Sequence, residues 1–207
     1  MTEPVRLHLV RHGQTDLNRD KRFRGLSGAP LNGRGRREAA GAGATLSGSR
    51  VTLIRSSPVP RALETAGIIG DSIGARIVSD DGFTDIDYGK WQGLTVEEVA
   101  ERFGPSAIES WRRDPGSFVF PDGDSMRDVR ERLGEAVRRA VSGGEESVAV
   151  VSHLAVIKIC FLVTMELPFE YFWKTDIENG SVSRFAYTPE RGFLLEWWNR
   201  EPDVGPT

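Results

Sequence analysis

With 207 residues the chain has room for one ordinary domain, at about 150 residues per domain, and Cys160 as the sole cysteine excludes an internal disulfide. Apolar residues (39%) and charged residues (28%) stand in globular proportion, and no apolar run reaches the ~18 residues that a membrane span needs. A net charge of -3 argues against a general nucleic-acid-binding surface, while basic clusters such as Lys21-Arg22, Arg24 and Arg34-Gly35-Arg36-Arg37 leave room for an anionic ligand.

In chain order, Met1-Thr2-Glu3-Pro4 shows no basic stretch followed by an apolar segment, so no signal peptide is expected and the expected location is cytoplasmic. Residues 5–10 read as a short apolar strand ending at Arg11-His12-Gly13, where glycine permits a sharp turn. Helical spacing over 34–46 precedes a buried strand over 51–54. The exit of that strand, Ser56-Ser57-Pro58-Val59-Pro60, carries N-cap and first-turn signals for a helix starting just before Arg61. Leu63, Ala66 and Ile69 or Gly70 repeat at helical spacing, and a short strand follows over 76–78.

Residues 80–121 are less regular and read as a lid-like excursion over one end of the sheet. They hold a turn-rich Tyr88-Gly89-Lys90-Trp91-Gln92-Gly93, a helix capped by Thr95 that runs to Arg102, and an aromatic, irregular stretch over 111–120. Met126, Val129, Leu133, Val137 and Ala140 mark a long helix with Asp122, Asp124 and Asp128 about its N-terminus, where negative charge is favoured. A buried strand over 147–151 ends at Ser152-His153, an apolar helix runs on to Val163, and 182–187 with 193–198 form an antiparallel pair. Residues 201–207 read as a loose tail.

This alternation predicts an α/β fold, a three-layer α/β/α sandwich around a mostly parallel sheet, with residues 1–200 as a single domain. Such sheets bind ligands at the carboxyl ends of their strands. Arg11 and His12 end one strand, Arg61 opens the helix after the next, and His153 ends a third, so two histidines and two arginines are expected on one edge.

That set suits phosphoryl transfer, which is mostly positioning and electrostatic stabilisation of charge on the phosphoryl oxygens. The arginine fork matches those oxygens bidentately, and backbone N–H groups after Ser57 and after His153 would face the same anion from helix N-termini. A neutral imidazole can attack phosphorus and hold the group until water removes it. A carboxylic acid must then protonate the leaving oxygen and later activate the water, and Asp85 and Asp87 are the candidates. Nothing in this chemistry requires a metal or an organic cofactor, and none is expected.

The motif Leu9-Val10-Arg11-His12-Gly13-Gln14-Thr15 with Asn18 is followed by Arg24-Gly25, Pro30-Leu31 with Gly35, and Ser56-Ser57 with Arg61-Ala62 and Thr65-Ala66. Tyr88-Gly89 with Trp91-Gln92-Gly93 and then Val151-Ser152-His153 complete the series. In this order the motifs resemble the histidine phosphatase superfamily, also called phosphoglycerate mutase-like, over most of the chain. The resemblance implies phosphorylation of His12, a phosphate pocket of Arg11, His12, Arg61 and His153, and a further phosphate contact from Asn18. By spacing to Tyr88-Gly89 it puts the acid at Asp85, where the family usually has glutamate. The family's Gly-Glu-Ser reads Gly123-Asp124-Ser125 here. The glycine that often follows the second histidine is Leu154, whose backbone N–H still reaches the phosphate pocket. Mutases of the family usually carry arginine after the acid and longer closing insertions. Ile86 stands in that place, which favours hydrolysis, since a mutase must keep water out.

The expected activity is therefore metal-independent hydrolysis of a small phosphomonoester through phospho-His12. The alternatives are a phosphoglycerate-type phosphomutase and a non-catalytic module that binds a phosphorylated ligand; a protein phosphatase is disfavoured for want of a docking extension. Arg24, Gln14 and Thr15 are candidate substrate contacts, the last two equally suited to ordering the loop after His12. His8 and Cys160 are read as structural, and Asp124 with Ser125 as a helix cap. Trp91, Trp111, Phe118 and Phe120 form either a pocket wall or a satellite core. Trp197-Trp198 alternates faces, with one ring packed inside and the other suited to a subunit contact. The expected partners are a small phosphorylated metabolite and a second copy of the chain as a homodimer, with no nucleic acid and no membrane.

Overall fold

The computed structural model describes residues 3–204. Its strands are β1 (Val5–Arg11), β2 (Leu53–Ser56), β3 (Arg76–Ser79), β4 (Ser147–Ser152), β5 (Val182–Thr188) and β6 (Gly192–Arg200). They form one sheet in the order β3-β2-β4-β1-β5-β6, in which the first four strands run parallel and β5 and β6 are antiparallel additions. The helices are α1 (Asp16–Arg19), α2 (Gly33–Leu46), α3 (Pro60–Ile73), α4 (Val96–Phe103), α5 (Pro105–Arg113), α6 (Met126–Val141) and α7 (Leu154–Thr164).

Side chains alternate across the strands with period two. Leu7 and Leu9 of β1, Leu53 of β2, and Val148 and Val150 of β4 join one core with α6 and α7; Val10, Ile54, Ala149 and Val151 join another with α2 and α3. The two cores flank one sheet, which is the expected three-layer sandwich. No helix among the described residues is long and apolar enough to cross a membrane.

The elements differ from the sequence reading in a few places. The second strand is Leu53–Ser56, two residues later than expected, because pairing with β4 begins at Leu53. Within α3 the buried stripe is Ala62, Ala66, Ile69 and Gly70, while Leu63 is exposed. The stretch taken as irregular contains α5, which begins on Pro105 in the first turn and carries Trp111. Pro202 and Asp203, in the stretch read as a tail, lie against Gly41 of α2 so closely that a Cβ there would stand 2.6 Å from the Asp203 carbonyl oxygen. Residues 205–207 lie outside the described residues, as do Met1 and Thr2 of the opening segment. His8 is buried and bonds Ser147 Oγ at 3.2 Å, and Cys160 is a buried free thiol, both as expected.

One contact fixes the layer that matters most. A Cβ on Gly13 would lie 2.2 Å from the Gly35 carbonyl oxygen, and one on Gly35 would lie 2.1 Å from that of Gln14. The first turn of α2 therefore rests directly on the backbone that follows His12, and this approach needs hydrogen at both positions. Asn32 caps α2 by accepting from Gly35 N at 2.9 Å, and the buried carboxylate of Glu38 accepts from Gln14 N at 2.7 Å.

Candidate active site

Strand register brings the site together. Arg11 of β1 pairs with Ser152 of β4, His12 N donates to Ser152 O at 2.9 Å, and Ser57 N donates to Val151 O at 3.0 Å. His12, His153 and Ser57 thus leave three adjacent parallel strands side by side, and the two imidazole centroids are 5.2 Å apart. Arg61 enters from the first turn of α3, which Thr65 ties to the same edge: Thr65 Oγ1 accepts from Gly13 N at 3.1 Å and donates to Arg61 O at 2.8 Å.

Arg61 is fully buried and every N–H-bearing nitrogen of its guanidinium is engaged. Nε donates to His12 Nε2 at 3.2 Å, Nη1 to Ser27 O at 2.9 Å, and Nη2 to Gly25 O and Asp85 Oδ2, each at 2.7 Å. Because an arginine nitrogen can only donate, His12 Nε2 carries a lone pair. Its other nitrogen, Nδ1, donates to Gly13 O at 2.7 Å. This tautomer is held in both directions, and burial first, then Arg61 and His153, keep the His12 pKa well below the usual 6.5. The result is a neutral imidazole whose electron pair at Nε2 accepts from Arg61.

His153 is likewise buried and held neutral by burial and by Arg61 and Arg24. Its Nε2 bonds Ser57 Oγ at 2.8 Å, and its Nδ1 lies 3.5 Å from Asp85 Oδ2. Asp85 Oδ2 already accepts from Arg61 Nη2, so a bare lone pair on Nδ1 would face another acceptor; the proton is assigned to Nδ1 and the serine hydroxyl donates to Nε2. Ser57 is therefore not a helix cap as expected. The α3 N-cap is Val59, without a side-chain bond, and Ser57 Oγ accepts from Val59 N at 3.3 Å while holding His153.

Asp85, not Asp87, reaches the site. Its pKa is raised by burial, against the pull of Arg61 and Arg24, and its Oδ1 accepts from Ile86 N at 2.9 Å. Asp87 instead accepts from Gly89 N at 2.8 Å within the turn. Two clamps hold this loop. Arg132 of α6 donates through Nη1 to the carbonyls of Asp81, Gly82 and Thr84 (3.0–3.2 Å), and Asp124 Oδ2 accepts from Asp87 N at 3.0 Å. Asp124 is thereby committed to the loop, and Ser125, although the N-cap of α6, makes no capping side-chain bond, which corrects the expected cap.

A cavity of about 340 Å³ opens on this edge, lined by Arg11, Asn18, Arg24 and Asp85 among others. Buried donors around it have no partner among the described residues: Arg11 Nε, Asn18 Nδ2, Arg24 Nε and His153 Nδ1. Asn18 Oδ1 is meanwhile held by the N–H and hydroxyl of Thr15, so Thr15 and Asn18 form a capping box on α1 and the amide N of Asn18 is left for a ligand. Arg11 donates from Nη1 to Ile177 O, and burial and Arg24 lower its pKa to about 10, which leaves it charged. Gln14 and Leu154 also line the cavity, the latter at the start of α7. Trp111 is a cavity wall, whereas Trp91 and Phe120 are core and Phe118 packs against them. The late pair packs within the chain on both faces: Trp198 against Phe161, and Trp197 beneath Arg184 and Arg200. Glu38, Arg132 and Lys158, another cavity-lining base, carry no sequence motif that distinguishes them from the chain's other charged residues.

The arrangement agrees with comparisons to known proteins. Residues 7–200 match the model of the histidine phosphatase superfamily, branch 1. Phosphoserine phosphatase 1 of Hydrogenobacter thermophilus is 30% identical over 195 residues, which are 93% of this chain and 91% of that protein. A bifunctional protein of Mycobacterium tuberculosis is 34% identical over 182 residues, 87% of this chain but half of the longer relative. The structure of a mycobacterial glucosyl-3-phosphoglycerate phosphatase in complex with VO3 superposes with a TM-score of 0.86 at 28% identity, covering 95% of this chain and all of that one (100%). Relatives named as phosphatases accord with a phosphoric monoester hydrolase. With the family model spanning nearly the whole chain and the ordered motifs meeting on one sheet edge, this protein belongs to the histidine phosphatase superfamily.

Proposed function

We propose that the chain is a metal-independent phosphatase that hydrolyses a small phosphomonoester through a phosphohistidine at His12 Nε2. The observation that carries this reading is the fixed tautomer of His12, a neutral nucleophile, beside a cavity with four unpartnered buried donors. In the first step Arg61 Nε exchanges His12 Nε2 for a phosphoryl oxygen, the freed Nε2 lone pair attacks phosphorus, the ester P–O bond breaks, and Asp85 gives its proton to the leaving oxygen. Burial, which raises the Asp85 pKa, favours the proton-bearing form that this step requires. In the second step Asp85 takes a proton from water, whose oxygen attacks the phosphoryl group, and the N–P bond breaks to return neutral His12 and inorganic phosphate. Arg11, Asn18, His153 and the Leu154 N–H hold the phosphoryl oxygens, joined by Arg61 once its Nε has turned from His12 to the phosphoryl group. Ile86, at the place where mutases of the family usually carry arginine, is in the core at 1% exposure, which supports hydrolysis over mutase chemistry.

The test is phosphate release from a panel of small phosphomonoesters with EDTA present. Release is expected to persist with EDTA and to disappear in His12→Ala, with acid-quenched phosphoenzyme trapped in the wild type. An active His12→Ala variant would refute the mechanism.

A further inference from the structure

The cavity has a second end. Lys158, on the second turn of α7, lines it together with Arg11 and Asn18 yet is only 8% exposed. Its ammonium stands 5.6 Å from the ring centre of Phe172 and 5.9 Å from that of Trp173. Ring faces attract a cation but give it no charge of opposite sign, so the ammonium is desolvated without being neutralised. Among the described residues no carboxylate lies within ion-pair distance of it; Asp176 acts on it through the field alone, against burial and Arg11, which lower its pKa. Trp173 meets Trp111 edge to face at 4.6 Å, and the buried indole N–H of Trp111 also lacks an acceptor among the described residues. Of the other cations on the cavity, Arg22 is bidentate to Glu98 and also donates to Gly93 O, Arg11 is assigned to the phosphoryl group, Arg24 acts electrostatically on Arg11, Asp85 and His153, and Lys21 is exposed to solvent.

From this we infer that Lys158 is a specificity-determining residue that pairs with a carboxylate on the substrate, so that preferred substrates are small phosphomonoesters bearing a carboxylate on the same carbon skeleton. The inference rests on the phosphatase reading above and goes beyond it. One ammonium within aromatic walls matches a monoanion, whereas a second phosphate would bring two charges to a single cation. The skeleton between the two anionic groups lies along Trp111 and Trp173, whose apolar surfaces suit its C–H face.

The experiment uses two pairs of esters that differ only in a carboxylate in place of CH2OH: 3-phosphoglycerate with glycerol 3-phosphate, and 6-phosphogluconate with sorbitol 6-phosphate. Values of kcat/KM for phosphate release, and calorimetric binding of the same four compounds, are measured for wild type, Lys158→Met and Lys158→Arg. In at least one pair the wild type is expected to prefer the carboxylate by about tenfold or more, mainly through KM. Lys158→Met removes that preference and Lys158→Arg keeps it, while the neutral members are handled as in the wild type and so report an intact fold. If Lys158→Met fails on the neutral members too, Lys158→Gln carries the test. Equal treatment of both members in both pairs by the wild type, or a preference that survives loss of the lysine, overturns the inference. A Lys158-dependent preference in binding with no turnover on any ester would remove the phosphatase reading and leave Lys158 as a carboxylate-pairing residue for a bound ligand.

Discussion

His12, the proposed nucleophile, is held in one state before any ligand arrives. Arg61 occupies one side of the His12 ring and the Gly13 carbonyl the other, so the imidazole has one tautomer and no freedom to rotate. His8, with its pKa lowered to about 3 chiefly by burial, and His153 share that depressed protonation, and these are all the histidines of the chain. Histidine ring resonances in proton NMR are therefore expected to show no titration at pH 6.5; a single ring titrating there would contradict the closed geometry. For Asp85, replacement by Asn keeps the shape and removes the proton, and kcat is expected to fall by about 100- to 10,000-fold in a steady-state phosphate assay. At this scale His12, Arg11, Arg61 and His153 were legible because each sits inside an ordered motif, and Asp85 only by its spacing to Tyr88-Gly89, with Asp87 as the competing candidate. Ser57 was legible as a polar residue before a helix but not as the partner of His153, because its role arises from β2 and β4 lying side by side. Lys158 was invisible for a related reason: a lysine in an apolar helix acquires meaning only from the rings that a distant segment folds over it.

Among the elements, α2 and α6 act on the site without entering it. Gly35→Ala forces α2 off the His12 loop, and overpacking of this kind costs about 1–3 kcal/mol. Chemical denaturation is expected to show that loss, accompanied by a drop in kcat that Gly28→Ala, made where a Cβ would meet nothing, does not produce. Arg132, which holds three carbonyls just ahead of Asp85, is a positioning residue. Its replacement by Met is expected to lower kcat by about 10- to 100-fold with KM unchanged, and to add little in an Asp85→Asn background, because in the proposed mechanism the two act through one proton transfer. Most strands and helices could be read from periodicity. Two helices escaped that reading: α1, a single turn too short to show a period, and α5, which has its Pro105 start signal but is flanked by Gly104 and an aromatic stretch that resemble loop chemistry, so that packing of Ile108 and Trp111 into the excursion decides for helix.

For the whole molecule, the buried histidines set how stability follows pH. Each has a folded pKa below its unfolded value, so each contributes stability that is fully present above about pH 6.5 and is lost as pH falls toward the folded pKa. Asp85 has the opposite sign: its raised folded pKa favours the fold below that pKa and offsets one proton of the three above its unfolded value of 3.8. Stability is therefore expected to decline by up to about 3 kcal/mol per pH unit below 6.5, read as Cm in urea at stepped pH, and a flat profile from pH 7 to 5 would contradict the burial of these rings. The sandwich architecture was legible from the strand and helix alternation, but the sheet order was not, because nothing local specifies that β4 lies between β2 and β1. That insertion has a consequence for biosynthesis. On the ribosome β1 and β2 emerge early, yet they have no shared edge to pair across until residues 147–152 have been translated and fill the gap between them. A nascent chain that carries His12, Arg61 and Asp85 but lacks β4 is thus catalytically silent, and its growing end must deliver His153 before the earlier residues have anything to assemble around.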